Sequence, residues 1–208
     1  MHAIITDGSI SKYINHPKSL VIGDVRYPAR IFSVWTASEL AAIGIIEVTF
    51  DDSKKKDEQW YINTNQTYTY DADAGTVTAT YGDATPKAHA DTLWTQADSD
   101  DGDLPSDKSV GDVKVEGLKT TLIRTLKQQV AGILNDTDWY ITRNSEKSTA
   151  IPSSISTYRD SVRTKQASME TAITNASDTP ALETLYTYTT DSDGVQSRPL
   201  GELPTLES

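Results

Sequence analysis

The 208-residue chain has no cysteine and only three histidines, two methionines and two phenylalanines. Without cysteine there is neither a disulfide framework nor thiolate chemistry, as expected of a protein made and assembled in a reducing cytosol. The histidines, His2, His16 and His89, are scattered and form no metal-ligand spacing. No apolar run approaches the roughly 20 residues of a spanning helix, so no membrane partner is expected. The opening, MHAIITDGSISKYINHPK, lacks the basic start and apolar stretch of a secretory signal.

Positive charge is also short. Nineteen Lys and Arg face thirty Asp and Glu, a net charge of −11. Residues 1–50 sum to zero, 51–112 to −9, 113–176 to +3 and 177–208 to −5. Duplex nucleic acid, which is bound by neutralising phosphates, is a poor partner for such a chain. A mildly basic segment between acidic flanks is a solvated face or a place where a like chain packs.

What is present divides by periodicity. Residues 1–18 read as an N-terminal arm, and 19–96 as a β-rich module with one short helix. In the latter, Leu20–Ile22 and Val25–Tyr27 flank Gly23-Asp24, a pair suited to a two-residue hairpin turn with Gly first. Thr36 and Glu39 have capping-box spacing, with Trp35 and Leu40 at the staple positions. A helix is expected from Ala37 to Ile43, stopped by Gly44, with IIEVTF following as a strand. Tyr68 and Tyr70 alternate before an Asp-Ala-Asp-Ala-Gly turn, and Val77, Ala79 and Tyr81 after it, as in a hairpin with one partly wet face.

Residues 97–112, ADSDDGDLPSDKSVGD, read as an acidic linker. They fail the EF-hand pattern: counted from Asp98, the sixth position is Asp103 rather than Gly and the twelfth is Ser109. An irregular calcium site is the alternative reading of the same oxygens.

Beyond the linker the period becomes three to four, and residues 113–190 read as an α-helical hairpin module. Val115, Leu118, Leu122, Leu126, Val130 and Ile133 mark a helix over 113–134. Ile155, Tyr158, Val162, Met169 and Ile173 mark a second, with a gap in its stripe at Lys165 and Gln166. A short third helix is expected from about 179, and residues 191–208 as an extended tail. The expected class is therefore α+β.

Between the two main helices lies a motif-like stretch containing Asp138, Trp139, Tyr158, Arg159 and Arg163. Arg159 and Arg163, four apart, share a helix face. Asp138 is placed to take a bidentate bond from Arg159, with Trp139 covering the guanidinium. These residues contain no nucleophile–base pair and no facing carboxylates, so catalysis is not expected. No catalytic, cofactor-binding or metal-ligating residues are assigned. The two arginines suit a carboxylate or phosphate, but a lock between helices is the simpler reading.

The same residues carry a resemblance. Thr137-Asp138-Trp139, followed after a bridge by Tyr158-Arg159, Val162 and Arg163, resembles the C-terminal pattern of tail assembly and tail fibre assembly proteins of tailed phages. Ile155 stands where that pattern has Trp, and the Pro- and Trp-rich ending is missing. RYPARIFSVWTASELAAIGIIEV is similar to an opening module of phage tail-associated proteins, and the overall layout to marine phage virion proteins. The two motifs cover about half the chain. The resemblance implies a structural virion protein of the tail, tail fibre or baseplate. It would be made in the host cytoplasm and partnered by copies of itself in three-fold or six-fold symmetry and by other tail proteins. A host receptor is a further partner class with no residue pattern behind it. The alternative is an assembly chaperone that leaves before the particle matures.

Overall fold

The computed structural model describes residues 1–206. Two compact units divide the chain, Met1–Thr85 and Pro86–Ser208.

The first unit opens with β1 (His2–Thr6) and β2 (Ser9–Ile14), paired antiparallel across Asp7-Gly8. Both turn residues have positive φ, 52° and 75°, the conformation that suits Asp-Gly hairpins. The expected arm is therefore a hairpin, and β1 is an interior strand. Ala3 and Ile4 are buried, and a buried apolar strand gains more in the sheet than as a free end.

The hairpin of β3 (Leu20–Ile22) and β4 (Val25–Tyr27) forms as expected, with Gly23 at φ 58°. A one-turn helix, α1 (Ile31–Val34), precedes α2 (Ala37–Ala42), whose capping box is complete. Thr36 N donates to Glu39 Oε2 at 2.7 Å, and Glu39 N to Thr36 Oγ1 at 3.3 Å. Gly44 at φ 78° turns the chain into β5 (Ile45–Asp51).

After β6 (Tyr61–Ile62), the hairpin of β7 (Thr67–Asp71) and β8 (Thr76–Thr80) completes a five-stranded sheet of order β2-β1-β5-β8-β7. Only the β5–β8 pair is parallel. Ala3, Val48, Val77 and Ala79 form one core cluster, with half-buried Tyr68 and Tyr70 packed on it. A second joins Ile31, Leu40 and Ile45, with Trp35 against them, so the staple residues share one core. The two-residue strand β9 (Thr85–Pro86) falls where one unit gives way to the next.

In the second unit β10 (Thr92–Leu93) pairs antiparallel with β11 (Val113–Val115), closing the acidic stretch into a loop. That stretch lies inside this unit, and the division of the chain falls earlier than expected. The loop holds α3 (Gln96–Asp100), which has its own capping box between Thr95 and Asp98. Lys114 forms an ion pair with Asp98 and lies 4.4 Å over the Trp94 ring. These bonds order a segment whose composition alone reads as solvated.

The long helices are α4 (Leu118–Asn135) and α6 (Ser153–Asn175), which pack together. The first starts five residues later than its apolar stripe suggested. Val113 and Val115 are β-branched and pair as strand, and Gly117 caps the helix, its N–H bound to Asp91 Oδ1 at 2.7 Å. Between them, the expected bridge carries a ten-residue helix, α5 (Asp138–Lys147). The third helix is α7 (Thr179–Tyr186).

The C-terminal segment is not simply extended. β12 (Thr189–Thr190) and β13 (Gln196–Ser197) form a hairpin, and Leu200 beyond it is buried. Lys165 Nζ donates to Leu200 O at 2.9 Å, which explains the gap in the second stripe: the ammonium reaches the returning chain. Glu207 and Ser208, the end of the expected tail, lie outside the described residues.

Candidate functional site: the Arg159 junction

Three elements meet at Arg159. The carbonyls ending α4 have no partners within that helix. Leu134 O accepts from Thr137 N at 3.1 Å, from Thr137 Oγ1 at 3.0 Å and from Arg159 Nη1 at 2.8 Å. Arg159 Nη1 also donates to Thr137 Oγ1 at 2.6 Å. Arg159 Nη2 meets Asp138 Oδ1 at 2.8 Å. Thr137 thus relays between arginine and carbonyl, and its hydroxyl makes no cap bond for α5, whose N-cap it is.

Electrostatics favour this placement on both sides. A guanidinium suits the negative end of α4, and Asp138 sits in the first turn of α5, where a carboxylate suits the positive end. Arg159 is 7% exposed, whereas the Asp138 side chain is 55% exposed. One pole of the ion pair is desolvated and the other is wet. Arg159 Nε is buried without a partner.

Asp138 and Arg159 meet as expected, through one Nη2–Oδ1 contact rather than a bidentate bond, and the other members of the motif stand apart. Trp139 does not cover Arg159. It is 51% exposed, stacked on Tyr140 at 3.8 Å, with Arg143 4.7 Å over its ring. Asp138 and Trp139 are adjacent on a helix, so their side chains leave it about 100° apart, and Trp139 turns to Tyr140 and Arg143 instead of the junction. Arg163 points outward to Asp160 at 3.4 Å. Tyr158 is half-buried and outside the bond network. Sequence reasoning missed Thr137's relay and Arg143. The i, i+4 spacing of Trp139 and Arg143 was the available signal, hidden because this stretch was read as a bridge.

A second polar cluster fastens the C-terminal segment. Arg198 Nε meets Glu202 Oε1 at 2.7 Å and Nη2 meets Oε2 at 2.8 Å, a bidentate pair. Tyr188 donates to Glu202 Oε1 at 2.6 Å, and the guanidinium lies 5.2 Å over the Tyr188 ring. The hydrogen bond from Tyr188, aided by Arg198, holds the Glu202 carboxyl below its ordinary range. The same bond pushes the Tyr188 phenol up.

The acidic loop is held by protein groups. Lys114 and Thr95 hold Asp98 well below the usual carboxylate range. No three His, Cys, Asp or Glu side chains among the described residues gather as a metal site. No helix among them is long and apolar enough to cross a membrane. At Arg159, Nη1 and Nη2 reach three acceptors at the end of α4 and the start of α5, and Nε has no partner among the described residues.

Comparison with protein-family models, with curated proteins and with solved structures returns no match.

Proposed function

We propose that this chain is a structural virion protein of a tailed bacteriophage, a component of the tail, tail fibre or baseplate that acts through protein–protein contacts. The observation that carries the reading is the junction itself. Of the residues that bear the phage-tail resemblance, Thr137, Asp138 and Arg159 bond one another, while α5, which has no buried residue, leaves Trp139 exposed. Such a motif sets geometry for a neighbour. Copies of the same chain, in three-fold or six-fold arrangement, and other tail proteins are the proposed neighbours, with the tail of the virion as the location.

The alternative, an assembly chaperone that is not retained, gains from one finding. An arm and a tail free to drape over neighbouring subunits would favour the virion reading, yet β1–β2 and the segment around Leu200 are docked on their own units. The departures from the assembly-protein pattern, Ile155 and the missing Pro- and Trp-rich ending, still favour the virion. Mass spectrometry of density-purified particles of the encoding phage decides. The protein should be present in them at a stoichiometric level. Abundance in infected lysate with absence from particles would leave the chaperone.

A further inference from the structure

The helix α5 has no buried residue. A ten-residue helix in water is marginal unless packing supports it, and this one shows solvent a Trp–Tyr stack. Arg143 lies across both rings, 4.7 Å from Trp139 and 5.5 Å from Tyr140. It has no ion pair or hydrogen bond among the described residues, and its Nε is buried without a partner. The other arginines of this unit each have a carboxylate: Arg124 has Glu116, Arg159 has Asp138, Arg163 has Asp160 and Arg198 has Glu202. Trp, Tyr and Arg together are the composition of interface hot spots.

The same unit displays the complementary feature. After α3 the chain turns through Asp101-Gly102-Asp103, with Gly102 at φ 79°. Asp100, Asp101 and Asp103 are all exposed. Asp98, Glu116, Glu170 and Glu202 each hold a lysine or arginine. Among the described residues, the side chains of Asp101 and Asp103 hold none. With a chain charge of −11, an unpaired arginine on an aromatic platform fits an acidic segment, and this turn supplies one.

We propose that the Trp139–Tyr140–Arg143 face of α5 receives the acidic turn Asp101–Asp103 of a second copy of this chain. The contact rests on the self-association in the proposed function and names its surfaces. Because the two patches differ, the contact repeats head to tail into a ring or is made twice across a two-fold axis. Desolvating Arg143 between the rings and two carboxylates strengthens both the cation–π and the charge-assisted contacts.

Analytical ultracentrifugation of the full chain tests this. Wild type should self-associate, and more weakly as salt is raised. Arg143→Glu, the double variant Asp101→Lys/Asp103→Lys, and Trp139→Ala should each weaken association about tenfold or more, the scale of a hot-spot side chain. All these residues are exposed or half-exposed, so circular dichroism should show folded protein. Lys147→Glu, an equal charge change at the end of the same helix, should associate as wild type. Mixing Arg143→Glu with the lysine double variant should restore assembly, because each supplies what the other lacks. A wild type that stays monomeric at its highest attainable concentration overturns the proposal. So does undiminished association of Arg143→Glu, or a mixture that stays apart. Particle composition is a separate readout: absence from virions would sink the virion reading and leave the sedimentation result standing.

Discussion

Removing the two partners of the junction one at a time should have unequal consequences. Arg159 is 7% exposed and serves three acceptors: Leu134 O, Thr137 Oγ1 and Asp138 Oδ1. Arg159→Ala strips the α4 terminus of a charged donor, leaves the Thr137 hydroxyl without its donor and removes the packed stem. Together these should cost about 3 kcal/mol. Asp138→Ala removes a partner whose side chain is 55% exposed and leaves the guanidinium its other two acceptors. That places the loss between the exposed and buried limits, about 1 to 1.5 kcal/mol. For a chain of this size each kcal/mol shifts the melting midpoint by roughly 2–4 °C. Arg159→Ala should therefore melt roughly 6–12 °C below wild type, and Asp138→Ala roughly 2–6 °C below. The double variant should lose less than the sum, since the two share one contact. Thermal unfolding followed by circular dichroism, with reversibility checked, gives all three numbers. Asp138→Ala as costly as Arg159→Ala would mean that the ion pair, not the carbonyl cap, carries the junction. An unchanged midpoint for Arg159→Ala would refute the lock altogether.

Three further outcomes follow from local geometry. Thr36→Ala removes one side of a complete capping box and should destabilise the first unit by about 1 kcal/mol, read from its denaturant midpoint. Gly44→Ala should cost more than Thr36→Ala in the same measurement: a Cβ there would lie 2.7 Å from Ile5 O, and φ is +78°. The clip of Tyr188, Arg198 and Glu202 should depend on pH at both ends. Glu202 has a lowered folded pKa, so its contribution is full above the ordinary 4.5 and is lost as pH falls through the lowered value. Tyr188 has a raised one, so its contribution is full below 10.0 and is lost as pH rises through the raised value. Tyr188 ring resonances should be constant between those limits and move beyond them, with Glu202→Gln abolishing the acid limb.

The α+β class and most elements were legible because they rest on local rules. The Thr36 box, the Gly23 hairpin and the Tyr68–Val77 alternation are complete within a few residues of sequence. What escaped depended on partners far along the chain. Residues 1–18 read as an arm although Asp7-Gly8 is a strong turn signal, because the burial of Ala3 depends on pairing with Ile46. The acidic loop was read by composition, and its order comes from Lys114, sixteen residues beyond Asp98. The stripe through Val115 was extended backward across Gly117, where a strand pairing with Thr92 wins. The docked C-terminal segment left only an indirect mark, the polar gap at Lys165. At the junction, Asp138 and Arg159 were legible as a charge pair. Trp139 escapes because no helical periodicity is read across the bridge, where α5 turns its ring toward Tyr140 and Arg143.

Why an arginine stands at position 159, inside an apolar stripe, follows from what an apolar residue could not do. A Met or Leu would fill similar space between Ile155 and Val162, and buried ion pairs are often matched in stability by hydrophobic replacements. Here, however, the acceptors include a main-chain carbonyl at the end of α4 and the hydroxyl of the next helix's N-cap. An apolar side chain would leave the Thr137 hydroxyl without its donor and the carbonyl with only its two bonds from Thr137. The fork geometry of guanidinium also fixes direction, since Nη1 and Nη2 address different acceptors at once. Position 159 therefore ties α6 to the end of α4 and to the start of α5 in one orientation. With Asp138 committed to the junction, the helix rotation is set, and Trp139 turns to Tyr140 and Arg143 instead. The polar lock inside and the aromatic face outside are two consequences of one constraint. Arg159→Met should accordingly lose less stability than Arg159→Ala but release α5. Faster amide exchange across 138–147, with exchange in α6 unchanged, is the expected signature. Equal protection of α5 in Arg159→Met and wild type would show that the helix is oriented by something other than the arginine.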